Sequence, residues 1–291
     1  MLVCRTISEI RSVVQKSRDR RQTVGFVPTM GYFHEGHLVL MHEAKKVCDL
    51  VVVSIFVNPL QFGPREDLDR YPRDFERDVH LAEKVGVDVV FFPSAEEMYP
   101  SGFSTRVELG ELTQCLCGRS RPGHFQGVAT VVAKLFNIVF PDKAFFGQKD
   151  AQQVLVIKRM VKDLNMPLEI VVVPTVREED GVAMSSRNVY LEPHERQAAR
   201  CLRRSMEIVE QEVVDGERDA SRLQEMARKI IAEEPLADID YVEIRSLPDL
   251  KPVTSLECPA LLAVAARFGK TRLIDNTVLC AGGVEYVFNH V

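Results

Sequence analysis

Short apolar segments that alternate with helical stretches constrain the fold of this chain more than any other feature. Several of them are β-branched throughout rather than alternating, which is typical of strands that are covered on both faces. Strand, helix and strand in series favour a parallel sheet with right-handed crossover connections. The five predicted strands lie at residues 23–29, 50–58, 87–93, 143–147 and 168–174.

The stretches between these strands carry helix signals. Thr6 and Glu9 have the spacing of a capping box at the start of a helix. Gly86 stands where a helix beginning near Phe75 would end, because glycine readily adopts the left-handed conformation. The stretch 127–140 is apolar nearly all round, which predicts a deeply buried helix.

The pattern changes after about Val182. Two helical stretches follow, one opening at Pro193 and one stopped by Pro235, and then a few strand-like stretches between residues 240 and 279. The predicted fold class is therefore α/β. It consists of a Rossmann-like, doubly wound parallel sheet at residues 1–183 and a second, smaller α+β C-terminal domain at residues 184–291.

Composition indicates which partners and which cellular compartment such a chain would have. A net charge of −5 without a long basic block argues against nucleic acid as the main partner. The opening 20 residues hold no apolar run long enough for a signal peptide or a membrane span. Seven scattered cysteines fit a reducing cytoplasm, and we interpret the C-x-C pair Cys115 and Cys117 as structural thiols rather than metal ligands.

A histidine pair stands where the first predicted strand leads into the next helix. In a doubly wound sheet, ligands bind beyond the carboxyl ends of the strands, and a helix start attracts phosphate. His34 and His37 would face the same way in the first helical turn. Gly31 and Gly36 allow the backbone to approach a ligand. By itself the pair is equally compatible with a helix start that binds nothing.

Two further polar clusters follow predicted strands. Ser185, Ser186 and Arg187 come after the last strand of the sheet, and Gly181 would make their loop mobile. Lys149 follows the fourth strand and would supply a positive charge for phosphate. Each cluster alone is weak support for a site.

Six motifs occur together in this chain: PTMGYFHEGH, SIFVNPLQFGP, RPGHFQGV, FFGQKDAQQ, MSSRN and RLIDN. In their order and over most of the chain, they resemble the pantothenate synthetase (pantoate–β-alanine ligase) family. The HEGH segment is similar to the H-x-G-H motif of the wider nucleotidyltransferase superfamily.

The resemblance implies a two-step reaction. The carboxylate of (R)-pantoate would attack the α-phosphate of ATP, giving pantoyl adenylate and pyrophosphate. The amine of β-alanine would then attack the acyl carbon and release AMP. The resemblance also implies Mg²⁺ bound to the phosphates, a homodimer, cytoplasmic localisation and small-molecule partners, with neither nucleic acid nor membrane among them. The glycine at 181, as a hinge, and the location of the MSSR residues further suggest that residues 184–291 act as a lid.

The resemblance assigns roles to individual positions. It makes His34, His37, Lys149 and Arg187 the catalytic residues, with His37 as the candidate proton donor. Gln61 and Gln153 would bind pantoate or β-alanine. The residues expected to border ATP are Met30, Gly31, Tyr32, Phe33, His34, Glu35, Gly36, His37, Gly147, Gln148, Lys149, Asp150, Val176, Met184, Ser185, Ser186 and Arg187.

Other interpretations stay open at this point. His124 is as compatible with capping its helix as with lining the site, and Asn58 is a weaker lining candidate. The acidic run that includes Asp74 and Asp78 favours a solvated helix face, although Asp78 could reach Mg²⁺ through water. The alternative functions are a nucleotidyltransferase that acts on a phosphorylated substrate and a nucleotide- or tRNA-binding module without activity.

Overall fold

The structure is a computed structural model that describes residues 1–64 and 66–280 and the backbone of residues 283–285. The chain folds into two compact units. The N-terminal unit comprises residues 1–113, 121–147 and 153–173. The C-terminal unit comprises residues 114–120 and 148–152 together with the described residues from 174 onward. The predicted domain boundary at residue 183 and the lid role stay predictions.

A parallel sheet forms the centre of the N-terminal unit, as the sequence predicts, and it has six strands rather than the five predicted. The strands are β1 (Leu2–Cys4), β2 (Val24–Thr29), β3 (Leu50–Ile55), β4 (Val89–Phe91), β5 (Lys143–Gly147) and β6 (Glu169–Val173). Their order in the sheet is β1-β4-β3-β2-β5-β6. The chain moves outward from β2 through β3 to β4, and later resumes on the other side of β2 with β5 and β6. The direction therefore reverses between β2 and β5, and such a switch point is where α/β sheets bind ligands.

The sequence did not predict the edge strand β1. It pairs with β4 through residues 2–4, with Leu2 opposite Val89 and Cys4 opposite Phe91. A three-residue strand is too short to show a period of two, so only its pairing partner identifies it.

The helices of the N-terminal unit are α1 (Ile7–Asp19), α2 (Glu35–Val47), α3 (Phe75–Val85), α4 (Ala95–Met98), α6 (His124–Val139) and α7 (Ala151–Asp163), whose first two residues belong to the C-terminal unit. Two of the helix boundaries, the start of α1 and the end of α3, lie at the predicted signals, whereas α4 was not predicted. At the start of α1, Thr6 Oγ1 accepts from the N–H of Glu9 at 3.2 Å, and the Glu9 carboxylate accepts from the N–H of Thr6 at 3.1 Å. Gly86 ends α3 with a φ of 86°.

Helix α6 is the deeply buried helix that the sequence predicts. Twelve of its residues are buried. Its first turns approach the 3-10 turn Pro59–Gln61 so closely that a Cβ added to Gly127 would lie 2.2 Å from the carbonyl oxygen of Leu60. Only glycine allows this backbone approach, which sets the position of Gln61.

The C-terminal unit is α+β, as predicted. Its strands are β7 (Ala237–Ser246), β8 (Ala260–Phe268), β9 (Thr271–Cys280) and β10 (Gly283–Glu285). They form a four-stranded antiparallel sheet with the order β10-β9-β8-β7, and the core of the unit includes Phe268, Leu262 and Val264. The helices are α5 (Leu116–Ser120), α8 (Pro193–Ala198), α9 (Arg200–Val214) and α10 (Ala220–Ala232). Within the described part of the chain, we find no helix with the length and apolarity that crossing a membrane requires.

Candidate active site

The turn that follows β2 carries the first group of predicted site residues. Gly31 has a φ of 84° and Tyr32 a φ of 52°, so two consecutive residues adopt the left-handed conformation. For Tyr32 this conformation is unfavourable and requires support from its surroundings. The turn leads directly into α2, at the switch point between β2 and β5.

Asp78 of α3 supplies that support. Its carboxylate accepts hydrogen bonds from the backbone N–H groups of Tyr32 at 2.6 Å and Phe33 at 2.7 Å. The side chain is 1% exposed, so the interpretation as a solvated face is wrong for Asp78. Burial raises the pKa of Asp78, although the two N–H donors act in the opposite direction.

The histidine pair stands at the N-terminus of α2, where the sequence places it. The ring centroids of His34 and His37 are 4.0 Å apart. The backbone N–H of His34 donates to Nδ1 of His37 at 3.3 Å. In the neutral imidazole this leaves the proton of His37 on Nε2, which makes Nε2 a donor.

The remaining residues of this segment differ in exposure. Glu35 is exposed and Met30 is half-buried, whereas Gly31 and the side chain of Phe33 are buried. Phe33 belongs to the hydrophobic core of the N-terminal unit, so a nucleotide would meet its backbone rather than its ring. Gly36 lies in the first turn of α2, where backbone N–H groups have no partner within the helix.

The amide of Gln61 has one defined orientation. Its Oε1 accepts from Asn58 Nδ2 at 3.0 Å, and its Nε2 donates to the sulfur of Met30 at 3.2 Å. Asn58 is itself buried and accepts a hydrogen bond from the hydroxyl of Tyr99 at 2.8 Å. The acceptor of Nε2 is weak, because a thioether sulfur accepts hydrogen bonds poorly. Nε2 could therefore exchange this partner for a stronger acceptor.

His124 supports the backbone of Gln61 instead of capping α6. Its Nδ1 lies 2.9 Å from the carbonyl oxygen of Gln61, and its Nε2 lies 3.0 Å from Nη1 of Arg121. Arginine donates only and a carbonyl accepts only, so Nδ1 carries the proton. Arg121 also forms a bidentate pair with Glu66 at 2.6 and 2.7 Å. Burial acts to raise the pKa of Glu66, but hydrogen bonds and the charge of Arg121 outweigh it, and the pKa is lowered.

Two predicted residues of the N-terminal unit lie near the end of β5. Gly147 is the last residue of this strand, and β5 is the neighbour of β2 at the switch point. Apart from its two chain neighbours, no described residue places an atom within 4 Å of a Cβ built on Gly147, so the position is open. Gln153 is half-buried in the first turn of α7.

The C-terminal unit contains the Lys149 cluster. Residues Gln148–Asp150 form a 3-10 turn. The Lys149 ammonium lies 3.5 Å from the carboxylate of Asp150, and its side chain is 21% exposed. The side chain of Gln148 is buried, so it faces the interior of the protein and not solvent.

The second cluster of the C-terminal unit follows a closed turn. Arg177 and Ala183 form an antiparallel bridge, and the N–H of Met184 donates to the carbonyl of Val176 at 3.0 Å. Gly181 sits in this turn with a φ of 89°. The 3-10 turn Ser186–Tyr190 then begins, with Ser185 accepting from the N–H of Arg187 at 3.2 Å.

Sequence reasoning missed several residues that hold the candidate site in place. Besides Asp78, they include Glu66, Arg121 and Gln152. The Gln152 amide accepts from the N–H of Cys117 and donates to the carbonyl of Cys115, each at 2.9 Å. The position of Gln152 next to the predicted site residue Gln153 was a signal that could have identified it. The other residues could not be identified in this way, because their partners are distant in the chain.

A parallel sheet whose switch point carries a helix N-terminus and two imidazoles defines the chain as an α/β enzyme of the nucleotide-binding type. The model of the family "Pantoate-beta-alanine ligase" matches residues 2–278. A pantothenate synthetase from Pelotomaculum thermopropionicum is 64% identical over 279 residues, covering 96% of this chain and 99% of the relative. The corresponding protein from Carboxydothermus hydrogenoformans is 58% identical, covering 94% and 97% of the two chains.

Solved structures agree with this family match. The pantothenate synthetase of Thermus thermophilus has a TM-score of 0.91 at 49% identity, covering 95% of this chain and 98% of the other. A pantoate-beta-alanine ligase from Francisella tularensis, described as complexed with beta-gamma ATP and beta-alanine, has a TM-score of 0.77 at 36% identity, covering 95% and 97% of the two chains. The chain belongs to the pantoate-β-alanine ligase family.

Proposed function

We propose that the residues at the switch point of the N-terminal unit bind ATP and pantoate for the reaction of this family. That reaction is the ATP-dependent condensation of pantoate with β-alanine, and this chain is such a ligase. The observation that carries the assignment of the site is the position of His34 and His37 at the start of α2, beside the reversal of strand order. A helix start there offers backbone N–H groups and a favourable dipole to phosphate.

The chemistry explains why ATP is consumed. A carboxylate is a poor acylating group at neutral pH, so the reaction first makes it a mixed anhydride. The pantoate carboxylate attacks the α-phosphorus and pyrophosphate leaves, which gives pantoyl adenylate. The amine of β-alanine then attacks the acyl carbon, loses a proton and expels AMP. The adenylate requires shielding from water, because hydrolysis would waste it.

The N-terminal unit supplies the donors for the first step. His37 donates from Nε2 to a phosphate oxygen, and His34 binds beside it. These contacts stabilise the transition state most, because negative charge develops there on the phosphate oxygens. The backbone of residues 30–36 and Gly147 border the nucleotide.

Gln61 binds pantoate through its amide. Asn58 already donates to one lone pair of Oε1, so the proposal assigns the substrate contact to Nε2, which is a donor. A pantoate oxygen that replaces the sulfur of Met30 as acceptor is a better partner for this donor. Gln153 binds pantoate or β-alanine in the same way.

The C-terminal unit binds phosphate through Lys149, Ser185, Ser186 and Arg187. Lys149 contributes a point charge, whereas the planar guanidinium of Arg187 matches two phosphate oxygens at once. In this proposal Gln148, Asp150, Val176 and Met184 border the nucleotide through their backbone or polar atoms.

The proposal also covers the metal ion, the oligomeric state and the cellular location of the protein. Mg²⁺ prefers oxygen ligands and keeps several waters, so the phosphates of ATP would supply ligands to it and it would neutralise part of their charge. Among residues 1–64 and 66–280, no group of three or more His, Cys, Asp and Glu side chains forms a metal site. We also propose that the chain works as a cytoplasmic homodimer.

The decisive measurement is the release of AMP with purified protein, ATP, pantoate and β-alanine. A ligase releases AMP in amounts that depend on both pantoate and β-alanine. A nucleotidyltransferase acting on a phosphorylated substrate would instead release pyrophosphate without β-alanine-dependent AMP, and a binding module would release neither.

Variants test the individual roles. We expect His37→Ala and Lys149→Ala each to reduce pantoate-dependent ATP–pyrophosphate exchange by ~10²-fold or more, the usual scale for one transition-state contact. His42→Ala on the exposed face of α2 and the exposed Lys162→Ala in α7 are matched controls that keep activity. An exchange rate within a few-fold of the wild-type rate would show that the substituted residue has no role in the mechanism.

A further inference from the structure

The RLIDN motif near the end of the chain has no role in the function described so far. Its last two residues, Asp275 and Asn276, lie on β9, an inner strand of the antiparallel sheet. Their side chains are 3% and 4% exposed. A buried carboxylate and a buried amide destabilise a fold unless they are hydrogen-bonded, so their partners indicate why they are there.

Asn276 holds the backbone at the Lys149 cluster. Its Nδ2 donates to the carbonyl oxygen of Gln148 at 3.1 Å and to that of Lys149 at 2.9 Å. The two carbonyls belong to consecutive residues of one 3-10 turn. A single amide group therefore fixes the peptide planes on both sides of the Lys149 Cα, and with them the direction in which the lysine side chain leaves the backbone.

Asp275 holds the turn that precedes Ser185–Arg187. It forms a bidentate pair with Arg177 at 2.6 and 3.1 Å and also accepts from the N–H of Asn276 at 2.8 Å. The same guanidinium donates to the carbonyl of Gly181 at 3.0 Å, inside the turn that the Arg177–Ala183 bridge closes. Asp275 thus sets the path of the backbone that leads into residues 184–187.

We propose that Asp275 and Asn276 are positioning residues that hold the two phosphate-binding clusters of the C-terminal unit in register. Adjacent positions of one strand separately fix the Lys149 turn and the turn before Arg187. A shift of one cluster relative to the other would change the distance between the Lys149 ammonium and the Arg187 guanidinium. These are the two cations proposed to bind the triphosphate. This inference rests on the proposed function of Lys149 and Arg187.

A double-mutant cycle with Lys149 tests whether Asn276 acts through the lysine. The variants are Asn276→Ala, Lys149→Ala and the double variant, with Asn276→Asp as a second substitution that keeps the volume but removes both donors. The readout is kcat/KM for ATP in pantoate-dependent ATP–pyrophosphate exchange. Asn137→Ala, which removes an amide-to-carbonyl hydrogen bond within α6, is the control for loss of an asparagine.

We expect Asn276→Ala and Asn276→Asp to lower kcat/KM for ATP by ~10²-fold, since a displacement of about 1 Å costs this much. The double variant should be no slower than Lys149→Ala, because interacting residues are not additive. The reaction of supplied pantoyl adenylate with β-alanine should change by much less than the exchange reaction.

Three results would overturn the inference, and a fourth would refute the proposed function of Lys149. Multiplicative losses in the double variant mean that Asn276 does not act through Lys149, and wild-type exchange in Asn276→Ala means that it positions nothing. If both Asn276 variants fail to fold, the residue serves stability and the inference is overturned. A wild-type rate for Lys149→Ala alone refutes the proposed phosphate contact instead, so the two failures are distinguishable.

Discussion

Replacing Asp78 tests whether one buried carboxylate holds the turn before the histidine pair. In Asp78→Ala, the N–H groups of Tyr32 and Phe33 lose acceptors at 2.6 and 2.7 Å. Hydrogen bonds to a charged group contribute roughly 1.5–3 kcal/mol each. Burial of the carboxylate opposes this gain, because the charged form loses its hydration.

The expected loss is therefore near the low end of the sum for two bonds. We expect Asp78→Ala to lower the free energy of unfolding by about 2–4 kcal/mol. Asp78→Asn keeps the volume but turns one acceptor into an N–H₂ group that faces a backbone donor, so it should not restore stability. Since Tyr32 has a φ of 52°, release of the turn should also let this residue leave the left-handed region.

Three measurements check this prediction. Urea unfolding gives the free energy, hydrogen exchange reports the amides of Tyr32 and Phe33, and ATP–pyrophosphate exchange reports the site. Asp74→Ala is the matched control on the same helix, because it removes the N-cap of α3 and should cost about 1 kcal/mol without loss of exchange activity. Unchanged unfolding and unchanged amide protection in Asp78→Ala would refute the reasoning.

Three further predictions concern stability. The lowered pKa of Glu66 means that its pairing with Arg121 stabilises the protein above the unfolded pKa of about 4.3 and is lost as pH falls through the folded pKa. The difference in unfolding free energy between wild type and Glu66→Gln should therefore stay level from pH 7 to about 5 and shrink below about 4; a difference that grows toward acid contradicts this. Gly127→Ala should destabilise by about 1–3 kcal/mol in urea titrations, because its Cβ meets the carbonyl of Leu60; equal midpoints would refute the close approach. Thr6→Ala should cost about 1 kcal/mol by the same assay, and no loss would show that the cap contributes nothing.

Local patterns in the sequence determined most of the fold. Short apolar runs, several of them β-branched, predicted β2 to β6, the Thr6–Glu9 spacing predicted the start of α1, and the glycine at 86 predicted the end of α3. These signals are readable because strand burial, capping and left-handed backbone each depend on residues a few positions apart. The same locality makes the position of His34 and His37, just beyond the carboxyl end of β2, predictable from the sequence alone.

Tertiary structure alone decided what holds the site. Asp78 contacts a turn 45 residues earlier, and Asn276 contacts a carbonyl 127 residues earlier. An acidic residue in a charged run and an asparagine in a strand carry no periodic signal for such partners. The interpretation as a solvated face was therefore wrong for Asp78, although Asp74 in the same run is exposed. Burial makes these contacts specific, because a polar group removed from water requires the one partner that the fold places beside it.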